Sequence, residues 1–126
     1  MSISDYWEDV LLDSTAMYGS VKWVGLSTAD PTDDASGLAE PSGNAYARVE
    51  IPSTYWAAAS GGSKANDTAI TFPRATGSWG TITHVALFDS LTGGNMLASG
   101  ALSESLAVTS GIAPQFAIGN LVATLG

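Results

Sequence analysis

The stretch from residue 70 to 102 constrains the fold most, because it combines a long strand pattern with a tight turn and a second extended run. From residue 81 to 89 the side chains alternate with the period of two that is typical of a β-strand. Both alternating sets are largely apolar, which indicates a strand covered on both faces. Residues 92–95 include two consecutive glycines and predict a hairpin turn before the chain extends again from Met96.

Further short strand patterns, separated by glycine-containing turns, follow along the chain. They lie at residues 21–27, 46–51, 68–72, 106–108, 115–118 and 121–125. Residues 60–66 are predicted to form a polar turn. With 14 glycines and only 13% charged residues, this composition favours an all-β protein. We expect an antiparallel β-sandwich of jelly-roll or Greek-key type, formed by residues 19–126 as one domain.

Residues 1–18 have the pattern of a short amphipathic helix, which would form an N-terminal arm ending near Tyr18 and Gly19. Ser2 or Ser4 can cap its start, and acidic side chains in the first turns complement the helix dipole. The apolar residues recur at the spacing of one helix face. They are Ile3, Tyr6, Trp7, Val10 and Leu11.

Two interpretations of this apolar face remain open. The preferred one is that the face covers one end of the chain's own sheet. The alternative is that it binds a partner subunit, because Tyr6 and Trp7 are typical anchors of protein interfaces. The same choice applies to Tyr55 and Trp56, for which a place in the core is preferred over an exposed, partner-binding patch.

Composition and charge narrow the classes of partner. Twelve acidic residues against four basic ones give a net charge of −8, which disfavours binding to the phosphate backbone of nucleic acids. The absence of cysteine rules out disulfides and thiolate metal sites. No apolar run is long enough to cross a bilayer, and the N-terminus lacks the pattern of a signal peptide. We therefore expect a protein made in the cytoplasm, with no nucleic-acid or membrane partner.

The sequence offers little to support catalysis or ligand binding. His84, the single histidine, lies within the central strand and is predicted to be a structural, hydrogen-bonded residue. No nucleophile motif, paired metal ligands or phosphate loop is present, so no catalytic, cofactor-binding or metal-binding residue is assigned. The acids Asp30, Asp33 and Asp34 do not have the spacing of a helix-loop-helix calcium loop and are interpreted as turn residues.

Three further charged residues receive structural interpretations. Asp89, at the end of the central strand, is predicted to orient the hairpin turn. Arg48 and Arg74 are rare cations in an acidic chain, and the preferred interpretation pairs them with Glu50 or Asp67. A contact with another subunit is the alternative for both arginines.

Four segments together resemble a family of small virion proteins of tailed phages. They are WVGLSTADP, YARV, FPRATGSWGTITHVALFD and GGNMLASG, within a match that runs from Ser2 through Ala123. Residues 46–48 and 79–89 are its most specific parts, whereas residues 52–56 and Arg74 depart from the family pattern. Members are often described as tail-fibre or minor structural proteins. The resemblance implies a non-enzymatic structural protein that combines a short helix with a β-fold.

Within a virion, the sequence leaves two placements open. The preferred one is a capsid decoration, or cement, protein that binds the major capsid protein on the outside of the head. The alternative is a tail, baseplate or tail-fibre component that contacts tail proteins. In either place we expect a dimer or trimer, because exposed sheet edges are usually paired or covered. A third possibility is a carbohydrate-binding module that uses Trp23, Tyr55 or Trp56 as stacking platforms.

Overall fold

A computed structural model describes residue 1, residues 4–14, residue 17 and residues 21–124. The described chain is mostly β-structure and begins with one short helix. Its elements are α1 (Asp5–Leu12), β1 (Lys22–Ser27), β2 (Val49–Ile51), a 3-10 turn (Ser53–Tyr55), β3 (Ser63–Ala65), β4 (Ile70–Thr71), β5 (Gly80–Phe88), β6 (Met96–Val108), β7 (Gln115–Phe116) and β8 (Val122–Thr124). The predicted class, an all-β antiparallel sandwich with a short N-terminal helix, is confirmed.

The strands form one larger and two small sheets. The larger sheet has the order β2-β1-β5-β6, and the small sheets pair β3 with β8 and β4 with β7. β1 runs antiparallel to β5, with Trp23 opposite Phe88 and Ser27 opposite His84. The long strand predicted from the alternation of residues 81–89 is therefore the inner strand β5, and its predicted hairpin partner is β6.

The β5–β6 hairpin contains a wide irregularity. Ile82 lies opposite Leu106, but His84 lies opposite Ala101, so residues 102–105 of β6 face the single residue Thr83. Such an insertion bends the strand and interrupts its ladder of hydrogen bonds. The sequence predicted two strands here, at residues 96–102 and 106–108, whereas the structure forms one bulged strand.

The turn of this hairpin has the predicted form. Gly93 and Gly94 have φ angles of 59° and 68°, in the left-handed region that glycine adopts without steric cost. The Asp89 carboxylate accepts hydrogen bonds from the Asn95 backbone N–H (2.7 Å) and side-chain amide (2.9 Å). The predicted role of Asp89 in orienting the turn is confirmed.

The chain divides into two compact units. The first comprises residues 1–22, 51–70 and 115–126 and contains α1 and the β3–β8 pair. The second comprises residues 23–50 and 71–114 and contains most of the four-stranded sheet. Buried apolar side chains fill the first unit (Leu12, Ile51, Trp56, Ile70, Leu121) and the second unit (Val24, Leu26, Phe72, Trp79, Ile82, Ala86, Leu87, Phe88, Val108).

The central strand is covered on both faces only along part of its length. Three consecutive residues, Ala86, Leu87 and Phe88, are buried, so both faces are covered there. Thr81, at the opposite end of β5, is exposed. The prediction of two covered faces therefore holds for the end of β5, residues 86–88, which pairs with residues 23–25 of β1 and with residues 96–99 at the start of β6.

Strand β3 lies where the sequence predicted a turn. Ser63, Lys64 and Ala65 pair with Thr124, Ala123 and Val122 of β8. The next residue, Asn66, is buried, and its side chain donates to the carbonyls of Thr68 and Ala117 and accepts from the Leu121 N–H at 3.0 Å. A Ser-Lys-Ala segment has little intrinsic strand preference, so tertiary pairing determines its conformation.

The helix is shorter than predicted. Ser4 caps it, as expected, by accepting a hydrogen bond from the Trp7 N–H at 3.3 Å. It ends at Leu12, because Asp13 forms the C-cap and the Ser14 hydroxyl donates to the Leu11 carbonyl at 2.7 Å. The predicted end near Tyr18 and Gly19 is wrong, and those two residues lie outside the described part of the chain.

Candidate interaction surface

The inner side of α1 is held to its own unit mainly by acidic side chains. Asp9 accepts a hydrogen bond from the Gly62 N–H at 2.8 Å, and Asp13 accepts one from the Ala59 N–H at 3.0 Å. Asp13 also forms an ion pair with Lys64, whose side chain is only 7% exposed. The Lys64 hydrogen bond, followed by the Ala59 N–H, lowers the pKa of Asp13 below its ordinary value.

The outer side of α1 carries the large apolar side chains. Tyr6 is 78% exposed, Trp7 57% and Val10 48%, while Leu12 is buried on the inner side. We call Tyr6, Trp7 and Val10 the outward face of α1. The preferred interpretation from sequence, that this stripe covers the chain's own sheet, is wrong for these three residues. We therefore treat this exposed apolar face as the candidate interaction surface.

The two other residues of the predicted face are placed differently. Leu11 is half-buried, and Ile3 lies outside the described residues. The sequence pattern therefore identified a real apolar stripe but could not show which side of the helix the rest of the chain would cover. Which side of the helix is covered depends on Asp9 and Asp13, whose carboxylates accept hydrogen bonds from the backbone N–H groups of Gly62 and Ala59, respectively.

The aromatic pair after β2 contributes mainly to the core. Trp56 is buried, with 5% exposure, and Tyr55 is half-buried in the 3-10 turn. The sequence preference for core positions is confirmed for Trp56. Only Tyr55 of this pair offers surface, and a partner contact through it stays a prediction.

A second feature of the surface is the outer strand β6. It is an edge of the four-stranded sheet and runs for 13 residues, most of them exposed. Glu104 is the single charged residue between Met96 and Val108. An edge strand presents backbone donors and acceptors to other chains, although bulges such as residues 102–105 limit such pairing. The expected dimer or trimer stays a prediction.

A polar network inside the second unit joins segments that are distant in sequence. The Arg48 guanidinium forms two hydrogen bonds with the Glu40 carboxylate, at 2.6 and 3.1 Å. It also donates to the carbonyls of Ser90 and Gly93, both at 2.9 Å. Its central carbon lies 3.4 Å from the centre of the Phe88 ring. Arg48 therefore fixes the β5–β6 turn to the loop that precedes β2.

Tyr46 extends this network towards β1. Its hydroxyl donates to Glu40 at 2.6 Å and accepts a hydrogen bond from the Leu26 N–H at 3.0 Å. Its ring packs edge-on against Trp79, with ring centres 5.2 Å apart. Burial, followed by the hydrogen bond to the Glu40 carboxylate, raises the pKa of Tyr46. We call Glu40, Tyr46 and Arg48 the Arg48 network.

The sequence identified Arg48 but assigned it the wrong partner. It pairs with Glu40 rather than with Glu50 or Asp67. Glu40 was missed because it lies in a turn-rich loop, and nothing in its local pattern predicts that the loop returns to β2. Arg74 donates to the Gly111 carbonyl instead of pairing with either predicted acid.

The acidic loop has the turn role predicted for it. Asp30 accepts a hydrogen bond from the Thr32 N–H at 2.9 Å. Asp34 accepts from the Ser36 N–H at 3.0 Å and from the Thr32 hydroxyl at 2.8 Å. The hydrogen bonds from Ser36, then Thr32, lower the pKa of Asp34 to about 2. Within the described residues, no group of three or more acidic or histidine side chains is arranged to hold a metal.

His84 is hydrogen-bonded, as predicted. Its Nδ1 lies 2.8 Å from the hydroxyl of the neighbouring Thr83, and the side chain is half-buried within β5. This contact fixes the orientation of the ring. Among the described residues, no helix has the length and apolar character needed to cross a membrane.

The described chain thus combines an antiparallel β-fold with a short helix that exposes two aromatic side chains, Tyr6 and Trp7. The chain belongs to the family described as podophage GP4 fiber I protein gp80, whose model matches residues 2–124. The resemblance to tailed-phage virion proteins is thereby confirmed. No curated protein matches the chain. The protein is thus a member of a family of phage structural proteins, and the description of that family names a fibre protein.

Proposed function

We propose that this chain is a non-enzymatic structural subunit of a podophage tail fibre, attached to a neighbouring virion protein through the outward face of α1. The observation that carries the proposal is the family match, which extends over residues 2–124 and is described by a fibre protein. The exposed Tyr6, Trp7 and Val10 supply a surface for attachment.

The capsid-decoration placement preferred from sequence ranks second. The acidic body of the chain suits an exterior position on the tail as well as on the head. The family description adds support for a fibre and none for a decoration protein. The carbohydrate-binding alternative ranks third, because Trp56 is buried and cannot serve as a stacking platform, while Trp23 and Tyr55 are only half-exposed.

The placement can be tested on intact virions. Antibody-gold labelling against this chain, combined with quantitative gel densitometry, measures both position and copy number. We expect gold at the tail and a copy number far below that of the major capsid protein. Gold over the head with hundreds of copies would contradict the fibre placement and support the decoration protein.

A test of attachment through α1 requires substitutions in the helix rather than its removal. Deleting residues 1–18 would remove the buried Leu12 and leave the buried Lys64 without Asp13, so loss of binding could reflect damage to the fold. The double variant Tyr6→Ser and Trp7→Ser changes only exposed side chains and should preserve the fold.

We expect this variant to be depleted from virions when it is supplied in trans to a phage lacking the gene. A matched control is Leu91→Ser with Ile118→Ser, which removes apolar side chains of 51% and 67% exposure elsewhere. The control should be incorporated like the wild type. Equal incorporation of both variants would contradict attachment through α1, and circular dichroism checks that each is folded.

A further inference from the structure

Helix α1 docks on its own unit with its acidic side inward. At about 100° per residue, Asp9 and Asp13 lie on one side of the helix, and Leu12 lies beside them. Leu12 is the single buried side chain of α1. An amphipathic helix ordinarily docks through its apolar side. The docking of α1 therefore depends on polar contacts more than is usual for such a helix.

Two carboxylates make these inward contacts. Asp9 accepts a hydrogen bond from the Gly62 N–H at 2.8 Å. A single oxygen of Asp13 accepts hydrogen bonds from the Ala59 N–H and from the Lys64 ammonium. Hydrogen bonds to an ionised carboxylate are roughly twice as strong as those between neutral groups. The ionised form of Asp13 therefore holds α1 more firmly than the neutral form does.

Few other charged groups lie around these contacts. On α1 they are Asp5, which is exposed, and Glu8, which is half-buried. Residues 57–62 and strand β8 carry no charged side chain, and β3 contributes only Lys64. Lys22, the other cation of the first unit, contacts the backbone carbonyl of the preceding residue at 3.5 Å. Lys64 is thus the cation that the described structure pairs with α1.

We propose that α1 is a releasable helix: protonation of Asp13 breaks the ion pair with Lys64 and frees α1 from residues 59–64, while strands β3 and β8 stay paired. Release melts the helix, because an isolated helix shorter than about 12–15 residues is marginal in water. It also lets water reach the Lys64 ammonium, which is costly to keep buried without its partner. This inference does not depend on attachment through the outward face.

The sign of the pH dependence follows from Asp13. The hydrogen bond from Lys64, then that from the Ala59 N–H, lowers the folded-state pKa of Asp13 below its ordinary value of 3.8. The contribution of Asp13 to docking is therefore complete above pH 3.8 and is lost as the pH falls through the folded-state pKa. Acid, and not alkali, is the condition that releases α1.

The test is amide hydrogen exchange of the full chain, followed by mass spectrometry from pH 7 to pH 2.5. The exchange rate of each segment is divided by that of an unstructured chain at the same pH, which gives its protection. We expect the protection of α1 to fall by about tenfold between pH 5 and 2.5. The β3–β8 pair belongs to the same unit and should stay within about threefold of its value at pH 5.

Two variants on the same helix separate the ion pair from a general effect of charge. Asp13→Asn keeps the shape of the side chain without its charge, so α1 should be about tenfold less protected at pH 7 and less sensitive to pH. Asp5→Asn removes an exposed acid from the first turn. It should reduce protection by at most about two- to fivefold, through the helix dipole, and retain the pH dependence of the wild type.

Three results would overturn the inference. The first is a wild-type α1 whose protection is the same at pH 5 and at pH 2.5. The second is an equal loss of protection in α1 and in the β3–β8 pair, which would show that the first unit opens as a whole. The third is an equal effect of Asp13→Asn and Asp5→Asn on the pH dependence, which would show that the pair with Lys64 does not control release.

Discussion

Tyr46 shows how a single residue in this chain combines several interactions. Its ring packs against Trp79, while its hydroxyl both donates to Glu40 and accepts from the Leu26 N–H. A neutral phenol meets all of these requirements, whereas a phenolate would lie beside the Glu40 carboxylate in a poorly hydrated site. The folded protein therefore keeps the proton that the unfolded chain loses near pH 10.

This difference predicts a loss of stability in alkali. Because the folded-state pKa of Tyr46 lies above the unfolded value, its contribution is complete below pH 10 and is lost as the pH rises towards the folded-state pKa. Between pH 10 and 11.5 the free energy of unfolding should fall by up to about 1.4 kcal/mol per pH unit for this group. Urea denaturation at several pH values measures the slope.

Tyr46→Phe provides the comparison. It should cost about 1–3 kcal/mol at pH 8, because Glu40 and the Leu26 N–H each lose a partner. Its stability should decline less between pH 10 and 11.5 than that of the wild type. An unchanged alkaline slope would show that other groups cause the loss.

At the scale of elements, strand β1 approaches the Arg48 network closely enough to require a glycine. A Cβ atom at Gly25 would lie 2.9 Å from the Glu40 carboxylate, the Tyr46 hydroxyl and the Phe88 ring. No comparable crowding exists at Gly100 on the outer strand β6, where a Cβ atom would meet nothing within 4 Å. The two positions form a natural pair for substitution.

Gly25→Ala should lower the free energy of unfolding by about 1–3 kcal/mol, as overpacking of a filled site does. Gly100→Ala should be neutral or stabilise by up to about 1 kcal/mol, because alanine restricts the unfolded chain. Chemical denaturation of both variants measures the difference. Equal effects at Gly25 and Gly100 would contradict the close packing described for β1.

Sequence patterns predicted the elements whose form is set locally. The alternation of residues 81–89 identified β5, and the two glycines with Asp89 identified the hairpin turn. The role of Glu40 and the existence of β3 could not be predicted in this way, because both depend on partners far away in the sequence. For α1, the pattern located the apolar face, but tertiary contacts of Asp9 and Asp13 determined that this face points outward.

At the scale of the whole molecule, charge is unbalanced. The net charge is −8, and the described residues include two ion pairs, Arg48–Glu40 and Lys64–Asp13. The remaining acids repel one another in the folded chain more than in the expanded unfolded chain. Raising NaCl from 50 to 500 mM should therefore raise the melting temperature, since salt screens exposed charges more than partly buried pairs.

The measurement is a thermal scan at several NaCl concentrations. A variant with Asp30→Asn and Asp33→Asn has two fewer exposed acids and should respond less to salt. A melting temperature that falls with salt would show that favourable ion pairs outweigh the repulsion.

The Arg48 network also has a consequence for the time course of folding. Its guanidinium contacts Glu40, eight residues away, and the carbonyls of Ser90 and Gly93, 42 and 45 residues away. The distant carbonyls become available in the right positions only after the β5–β6 turn has formed, whereas the turn itself needs only local contacts. The β5–β6 hairpin should therefore form first, and the loop that precedes β2 should dock onto it afterwards. If this docking is slow, the hairpin turn is already formed while it takes place.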